Sequence, residues 1–252
     1  MVGDAPAATK LWRGAASGDL DLIKAAVTEG ADIDVRDSFG YAAIHKAAGA
    51  LIRAQKSESD CSKFTNTIIW LVENGANVNA VGARGLRPLH ILAGHPVSAE
   101  KDRSIVVPIA QLLLKNGAKV NAKAGDAKQS AMHYTSVHGR AEMIKLLLKH
   151  GAATNSRNYL GETPLHSAAA SQKEEAIRLL VEAGARRGAK DKKNRTPLDV
   201  AKGVVRVENG KRVMPVMMTG GTAGQRGVIR TAKPKPLEPN VRKLLSNRPR
   251  RD

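Results

Sequence analysis

The sequence predicts an all-α solenoid of about six stacked helix-turn-helix units, followed by a small β-hairpin and an extended basic tail. Residues 163–166 (TPLH) recur 33 residues later as residues 196–199 (TPLD), and a Gly-Ala pair recurs in step with them. Repetition at a fixed period is the signature of a repeat architecture. The chain is 42% hydrophobic but only 3% aromatic. Its core is therefore built from Ala, Leu, Ile and Val, which suits closely packed helices.

Two markers locate the units along the chain. Relatives of the TPLH motif begin at Thr9, Ala42, Arg87, Ser130, Thr163 and Thr196. Gly-Ala pairs close the first five units at Gly30, Gly75, Gly117, Gly151 and Gly184. The repeats thus cover residues 9–203, with an incomplete last unit, after a lead of residues 1–8. The polar side chains of residues 13–21 make the first unit a suitable N-terminal cap.

The fifth unit illustrates why these residues form two helices and a turn. Pro164 suits the first turn of a helix, where its missing N–H costs nothing. Ile177, Leu180 and Val181 lie at helical spacing and predict one buried face on the second helix. Gly184 then suits the left-handed conformation that ends a helix. No unit buries its apolar face alone, so stacking of neighbouring units supplies the core.

These motifs resemble the ankyrin repeat. Its T-P-L-H-x-A opening matches residues 163–168 in full, and its G-A-D-V-N ending is nearly met by residues 30–34 (GADID). The resemblance implies a protein that binds other proteins through the loops between units, called fingers, and through the first helices. The protein-binding residues that it implies are Ser38, Phe39, Tyr41, Arg84, Leu86, Tyr159, Leu160 and Glu162. The aromatic residues among them serve either as exposed interface anchors or as packing between fingers.

Units two and three are longer than the others, by insertions near residues 50–64 and 94–106. Both insertions fall between the two helices of their unit, and Pro108 stays in register at the start of the second helix. Two interpretations remain open. The insertions are surface loops, which tolerate added length cheaply, or they lie side by side as a joint partner-binding ledge.

The C-terminal quarter carries most of the net charge of +18: residues 186–252 hold 19 Lys and Arg residues against 5 Asp and Glu residues. Within residues 204–216, two β-prone runs flank Asn209 and Gly210 and predict a β-hairpin. Residues 217–252 are expected to form an extended basic tail, with one short amphipathic turn at Val241, Leu244 and Leu245. Neutralisation of phosphates by this quarter predicts contact with RNA or another polyanion. The predicted contact residues are Arg186, Arg187, Lys190, Lys192, Lys193, Arg195, Lys211, Arg212, Arg226, Arg230, Lys233, Lys235, Arg242, Lys243, Arg248, Arg250 and Arg251.

Nothing in the sequence indicates catalysis, a metal or a cofactor. His45, His90, His133 and His166 occupy one position of successive units, and the ankyrin resemblance implies that each bonds to the backbone of a neighbouring loop. Cys61 is the single cysteine, which excludes an internal disulfide and favours a reducing compartment. No apolar run is long enough to cross a membrane, and no secretory signal is visible. We therefore expect an intracellular protein with no small-molecule substrate.

Three classes of function fit these observations. The first is a structural subunit of a large assembly, for example a ribosome-like ribonucleoprotein, with its basic tail on RNA. The second is a free adaptor that binds one protein through its fingers and concave face and uses the tail for targeting. The third is an accessory subunit of a membrane or other protein complex.

Overall fold

The fold consists of paired helices stacked in a row, as seen in a computed structural model that describes residues 6–56, 61–203, 206–208, 211–213 and 236–246. The first helices of the units are α1 (Pro6–Ser17), α3 (Ala43–Lys56), α5 (Pro88–Ala93), α8 (Ala131–His138), α10 (Pro164–Ala170) and α12 (Pro197–Ala201). The second helices are α2 (Leu20–Thr28), α4 (Ser62–Glu73), α7 (Val107–Lys115), α9 (Ala141–Lys149), α11 (Glu174–Glu182) and α13 (Pro239–Ser246). Each first helix contacts the next first helix, and each second helix contacts the next second helix. The all-α repeat fold is therefore confirmed.

One continuous hydrophobic core runs through the stack between the two layers of helices. It is rich in alanine and leucine, and Leu89, Leu113 and Leu165 are fully or almost fully buried. Alanines such as Ala47 and Ala168, which have no exposed surface, let first helices of neighbouring units approach closely. Truncating one of the buried leucines to Ala lowers the free energy of unfolding by about 2–5 kcal/mol, because a cavity remains.

The glycine of each Gly-Ala pair ends the second helix of its unit in the left-handed conformation, as predicted. The φ of Gly184 is 82° and that of Gly151 is 78°. A Cβ at either position would meet no atom within 4 Å. Backbone conformation, and not space, therefore requires glycine there. Four residues after Gly151, Asn155 spans two units, since its side chain donates to Gly184 O and accepts from Arg186 N.

The insertion of unit two is mainly an extension of α3, and the prediction of a surface loop is wrong for this part. Helix α3 continues to Lys56, and Leu51, Ile52 and Ala54 are buried in the core. The reason is that these apolar residues continue the helical spacing of the buried face of α3. Residues 57–60 lie outside the described part.

The insertion of unit three is partly helical as well. A short helix α6 (Ala99–Lys101) and a π-helical turn, Asp102–Val106, lead directly into α7, so the second helix of this unit is extended toward its N-terminus. Pro108 lies in the first turn of α7, as predicted. Only residues 94–98 keep an irregular course.

A buried ion pair fastens this insertion to unit four. Arg140 Nη2 donates to Asp102 Oδ1 at 2.5 Å, and both side chains are at most 3% exposed. Arg140 Nη1 donates to the carbonyl oxygens of Leu92 and His95. Because Arg140 directly precedes α9, one side chain joins the first helix of unit three, its insertion and the following unit.

The C-terminal segment completes the sixth unit. Helix α13 packs against α11 and α12, with Val241 and Leu245 buried. The prediction of an extended tail is therefore wrong for Pro239–Ser246. The apolar residues of the predicted amphipathic turn bury one face of a helix that takes the place of a second helix. Residues 202–238 separate this helix from α12.

Two short strands lie within that separating segment. Strand β3 (Arg206–Glu208) pairs antiparallel with β4 (Lys211–Val213), and Val207 lies opposite Arg212. Hairpin residues 204–205, 209–210 and 214–216 and most of the predicted tail, residues 217–235 and 247–252, lie outside the described residues. The hairpin as a unit and the rest of the tail stay predictions.

The N-terminal boundary differs slightly from the prediction. Helix α1 begins at Pro6, so residues 6–8 of the predicted lead belong to the first helix, and Ala8 is buried. Asp19 caps α2 by accepting a hydrogen bond from Leu22 N at 2.9 Å. This is the use expected of an Asp before a helix.

Candidate functional site

The fingers are the five loops that connect neighbouring units: finger one (31–41), finger two (76–87), finger three (118–130), finger four (152–162) and finger five (185–195). An Asp or Asn side chain shapes the tips of three of them. In finger one, Asp37 accepts hydrogen bonds from Phe39 N and Tyr41 N. Asn158 does the same for Leu160 and Glu162 in finger four. Asp191 occupies the same position in finger five.

Fingers two to five are joined into one row by backbone hydrogen bonds. Gly125 N donates to Arg84 O at 2.8 Å, Tyr159 N to Ala127 O at 2.7 Å and Lys192 N to Leu160 O at 2.9 Å. Finger three adds a small hairpin of its own, in which β1 (Lys123–Ala124) pairs with β2 (Gln129–Ser130). These contacts fix the spacing and orientation of side chains along the row.

A column of histidines supports this row from beneath. His133 Nδ1 accepts from Ser130 N at 3.2 Å, and its Nε2 donates to Glu162 O of the next finger at 3.1 Å. His45, His90 and His166 make the same pair of bonds with their own helix start and the next finger. The prediction that these residues bond to loop backbone is confirmed.

Burial lowers the pKa of all four histidines, because the charged imidazolium loses its hydration. The pKa of His133, the most strongly shifted, falls to about 4. These side chains are therefore neutral at neutral pH. That state fits the observed bonds, in which Nδ1 accepts and Nε2 donates.

Two aromatic side chains project from the fingers into solvent. Phe39 is 71% exposed and Tyr159 is 61% exposed. The ammonium of Lys192 lies 4.3 Å from the centroid of the Tyr159 ring, a cation–π contact that helps to hold the ring in place. Exposed aromatic residues of this kind are frequent interface anchors.

Tyr41 packs between fingers instead of projecting from them. Its ring lies against Gly82 of finger two, where an added Cβ would come within 2.6 Å of Tyr41 Cδ1, and it is tilted against the His45 ring. Of the two interpretations left open for the aromatic residues, packing thus applies to Tyr41. Gly82 takes the place of the Asp or Asn found in other fingers and makes room for the ring.

The remaining predicted protein-binding residues divide by exposure. Ser38 and Arg84 are exposed, whereas Leu86, Leu160 and Glu162 are half-buried. Arg84 Nη1 lies 3.9 Å from Asp126 Oδ2 of the next finger. All five belong to the fingers. Arg84, Leu86, Leu160 and Glu162 lie in the row with Tyr159, whereas Ser38 and Phe39 lie on finger one, outside the backbone hydrogen bonds that join fingers two to five.

The predicted anion-binding residues are brought together only in part. Arg186, Lys190, Lys192 and Lys193 are exposed on finger five, Arg187 is half-buried there, and Arg242 and Lys243 are exposed on α13. Arg195 is different, since it pairs with Asp191 at 2.7 Å and with Glu162 at 3.5 Å. The charge of Arg195 is therefore neutralised by carboxylates within the row. Lys211 and Arg212 lie on β4, and Arg226, Arg230, Lys233, Lys235, Arg248, Arg250 and Arg251 lie outside the described residues.

Sequence reasoning missed several basic residues of the middle fingers. Lys123 Nζ donates to Arg157 O at 2.7 Å, and Arg157 Nη1 donates to Lys190 O at 2.6 Å. Lys128 is exposed on finger three. A signal was present, because Lys123, Arg157 and Lys190 each lie six residues after the glycine of a Gly-Ala pair.

Among the residues that the structure describes, no cluster of three or more His, Cys, Asp or Glu side chains has a geometry that could hold a metal ion. None of the helices in the same ranges is both long and apolar enough to cross a membrane.

Comparison with known proteins gives the same architecture. A family model of ankyrin repeats in three copies matches residues 54–158 and 97–191. The human ankyrin repeat and SOCS box protein 16 is 32% identical over 155 residues, which are 62% of this chain and 29% of that protein. A B-cell lymphoma 3 protein homolog of Mus musculus is 29% identical over 145 residues, 57% of this chain and 28% of that protein.

A third relative is the transient receptor potential channel pyrexia of Drosophila melanogaster, 37% identical over 139 residues, 44% of this chain and 14% of that protein. The chain thus spans less than a third of the length of each of these three relatives. The similarity covers the stacked units and their fingers. With the repeated helix pairs, the left-handed glycines and the histidine column in place, the chain belongs to the ankyrin-repeat family.

Proposed function

We propose that this protein is a non-enzymatic interaction scaffold that binds a partner protein through its finger row. Ankyrin repeats indicate protein interaction in general. The observation that carries the proposal for this chain is the row itself. Fingers two to five are fixed by backbone hydrogen bonds, and Tyr159 on finger four and Phe39 on finger one expose large aromatic rings. Rigid aromatic residues supply contact area at a low cost in conformational entropy.

The experiment compares cross-linked partners of the intact chain in a native extract with those of two variants. Phe39→Ser with Tyr159→Ser removes the exposed rings. Lys24→Ser with Lys149→Ser changes exposed side chains on α2 and α9, two of the second helices, which are called the outer helices below. We expect the first variant to lose the partner and the second to keep it. Loss with both variants, or with neither, would contradict binding through the finger row.

As an alternative to protein binding at finger five, contact with RNA in an assembly such as a ribonucleoprotein is proposed for that finger and the basic C-terminal quarter. The supporting observation is the concentration of exposed cations at Arg186, Lys190, Lys192 and Lys193. Affinity for RNA should then fall steeply with salt, with about 0.7–0.9 in the log–log slope for each phosphate contact. Replacing Lys192 and Lys193 by Ala should reduce that slope. A salt-insensitive affinity, or co-purified RNA that survives these replacements unchanged, would refute this role.

A further inference from the structure

Charge is distributed unevenly along the finger row. Fingers two to five together contain 12 Lys and Arg residues against 3 Asp and Glu residues, whereas finger one contains three Asp residues against one Arg. A partner laid along all five fingers therefore meets a weakly acidic end at finger one and a long basic stretch along the row. Such an arrangement selects the charge of the partner segment.

The three acidic side chains of fingers two to five lie close to arginines of the same row. Glu162 and Asp191 pair with Arg195, and Asp126 lies near Arg84. Lys128, Lys190 and Lys192, by contrast, are exposed on fingers three and five. The surface that the row presents to a partner is consequently cationic.

The second helix of the fifth unit has the reverse character. On helix α11, Glu174 and Glu175 pair with Arg178, and Glu182 is exposed nearby. The basic excess of the fifth unit is thus concentrated in its finger. Finger five, with six Lys and Arg residues against one Asp, is the most cationic part of the row.

We propose that fingers two to five bind an acidic segment of a partner protein, laid along the row. Carboxylates of that segment pair with Lys128, Lys190 and Lys192, and an apolar residue packs on the Tyr159 ring. The inference rests on the protein-binding function proposed above and adds the chemistry of the partner. Because the row is held by backbone hydrogen bonds, little ordering is needed on the scaffold side when it binds.

Two observations favour a protein over a nucleic acid as the occupant. The side chain of Asp126 is 85% exposed in the middle of the row. A phosphate backbone carries charge at every step and would be repelled there, whereas a polypeptide can place its carboxylates away from Asp126. The exposed Tyr159 ring also fits an apolar side chain of a peptide.

The test measures binding of the full chain to a fluorescein-labelled peptide of about 20 residues that alternates Glu with Leu, long enough at roughly 3.3 Å per residue to extend along several fingers. The triple variant Lys128→Gln, Lys190→Gln, Lys192→Gln removes three charges of the row. A matched triple variant, Lys24→Gln, Lys115→Gln, Lys149→Gln, removes three exposed charges of the outer helices. Fluorescence anisotropy gives the Kd of each protein.

We expect the row variant to bind about tenfold more weakly, the size expected for three exposed ion pairs, and the outer-helix variant to bind like the parent. The loss should diminish at high salt, which screens exposed charges. Equal weakening by both variants, or by neither, would overturn the inference. Tighter binding of a single-stranded uridine oligomer that depends on the same three lysines would also overturn it, in favour of RNA. If the peptide does not bind while the Phe39→Ser, Tyr159→Ser variant still loses its protein partner, the inference fails and the scaffold function stands.

Discussion

Acidification should unfold this protein through its histidine column, and His133 offers the sharpest case. Its two ring nitrogens are both bonded in the neutral form, and burial lowers its pKa from 6.5 to about 4. The unfolded chain therefore binds a proton at this residue more readily than the folded chain does. Stability from this residue is fully present above about pH 6.5, and it is lost as the pH falls toward 4.

The magnitude follows from the size of the shift. One pKa unit corresponds to about 1.4 kcal/mol. Protonation of His133 alone therefore lowers the free energy of unfolding by about 3 kcal/mol in the limit of low pH. At pH 5 the loss already amounts to about 2 kcal/mol, because that pH is 1.5 units below the unfolded pKa and still above the folded one. A domain is stabilised by only about 5–15 kcal/mol in total. His45, His90 and His166 shift in the same direction.

The assay is urea unfolding at pH 8, 7, 6 and 5, followed by circular dichroism. His133→Gln should be less stable than the parent at pH 8, by about 1 kcal/mol for each hydrogen bond that it fails to replace. Its stability should decline less between pH 7 and pH 5. Ile144→Val is the matched control, because it removes one buried methyl group at a cost of about 1 kcal/mol and no titratable group. Parallel pH profiles for the parent and His133→Gln would refute the assignment of acid sensitivity to this residue.

Three further predictions concern stability and use the same unfolding measurement. Asp102→Asn leaves Arg140 charged and buried and should cost about 3–5 kcal/mol. Arg103 is the control: its exposed guanidinium lies 3.8 Å from Glu142 Oε1, so Arg103→Gln should change stability by less than about 1 kcal/mol. Similar losses for both variants would contradict a stabilising role for the buried pair. Leu245→Ala should cost about 2–5 kcal/mol because it opens the packing of α13, and no loss would show that the helix does not cap the stack. Gly151→Ala should cost about 1–2 kcal/mol through its positive φ alone, so an unchanged stability would refute the backbone argument.

The sequence predicts most of the stack because each unit repeats the same pattern of residues that start and end its helices. Pro164 and Gly184 mark the start of one helix and the end of another by their own backbone geometry, and the structure follows both. Likewise, a histidine that recurs at one position of every unit predicts one shared set of bonds. His45, His90, His133 and His166 all make those bonds.

The parts that sequence reasoning missed depend on contacts between distant residues. A surface loop was one of two interpretations left open for the insertion of unit two, whose length breaks the period, yet Leu51 and Ile52 continue the buried face of α3. Asp102 and Arg140 are 38 positions apart, and only the packed structure reveals that they form a buried pair. Burial and pairing across units are not local properties, so no motif signals them.

The candidate site shows the same division. Whether Phe39 projects into solvent and Tyr41 packs between fingers depends on the room that the next finger leaves, and Gly82 provides that room for the half-buried Tyr41. Arg195 was expected to contact a polyanion, but it forms ion pairs with Asp191 and Glu162. A count of the basic residues in finger five therefore overstates the positive charge that a partner meets there. It also misses the positive charge that continues along the other fingers of the row.

Helix α13 connects the fold to the role proposed for the C-terminal quarter. Its buried face closes the end of the core, while Arg242 and Lys243 lie on its exposed side. The same helix thus belongs to the solenoid through Val241 and Leu245 and to the basic surface through its cations. A truncation that removes the basic segment to test binding would also remove this cap, and a loss of binding would then be inseparable from a loss of stability. Replacement of individual cations on an intact chain avoids this confusion, because exposed lysine and arginine side chains contribute little to the core.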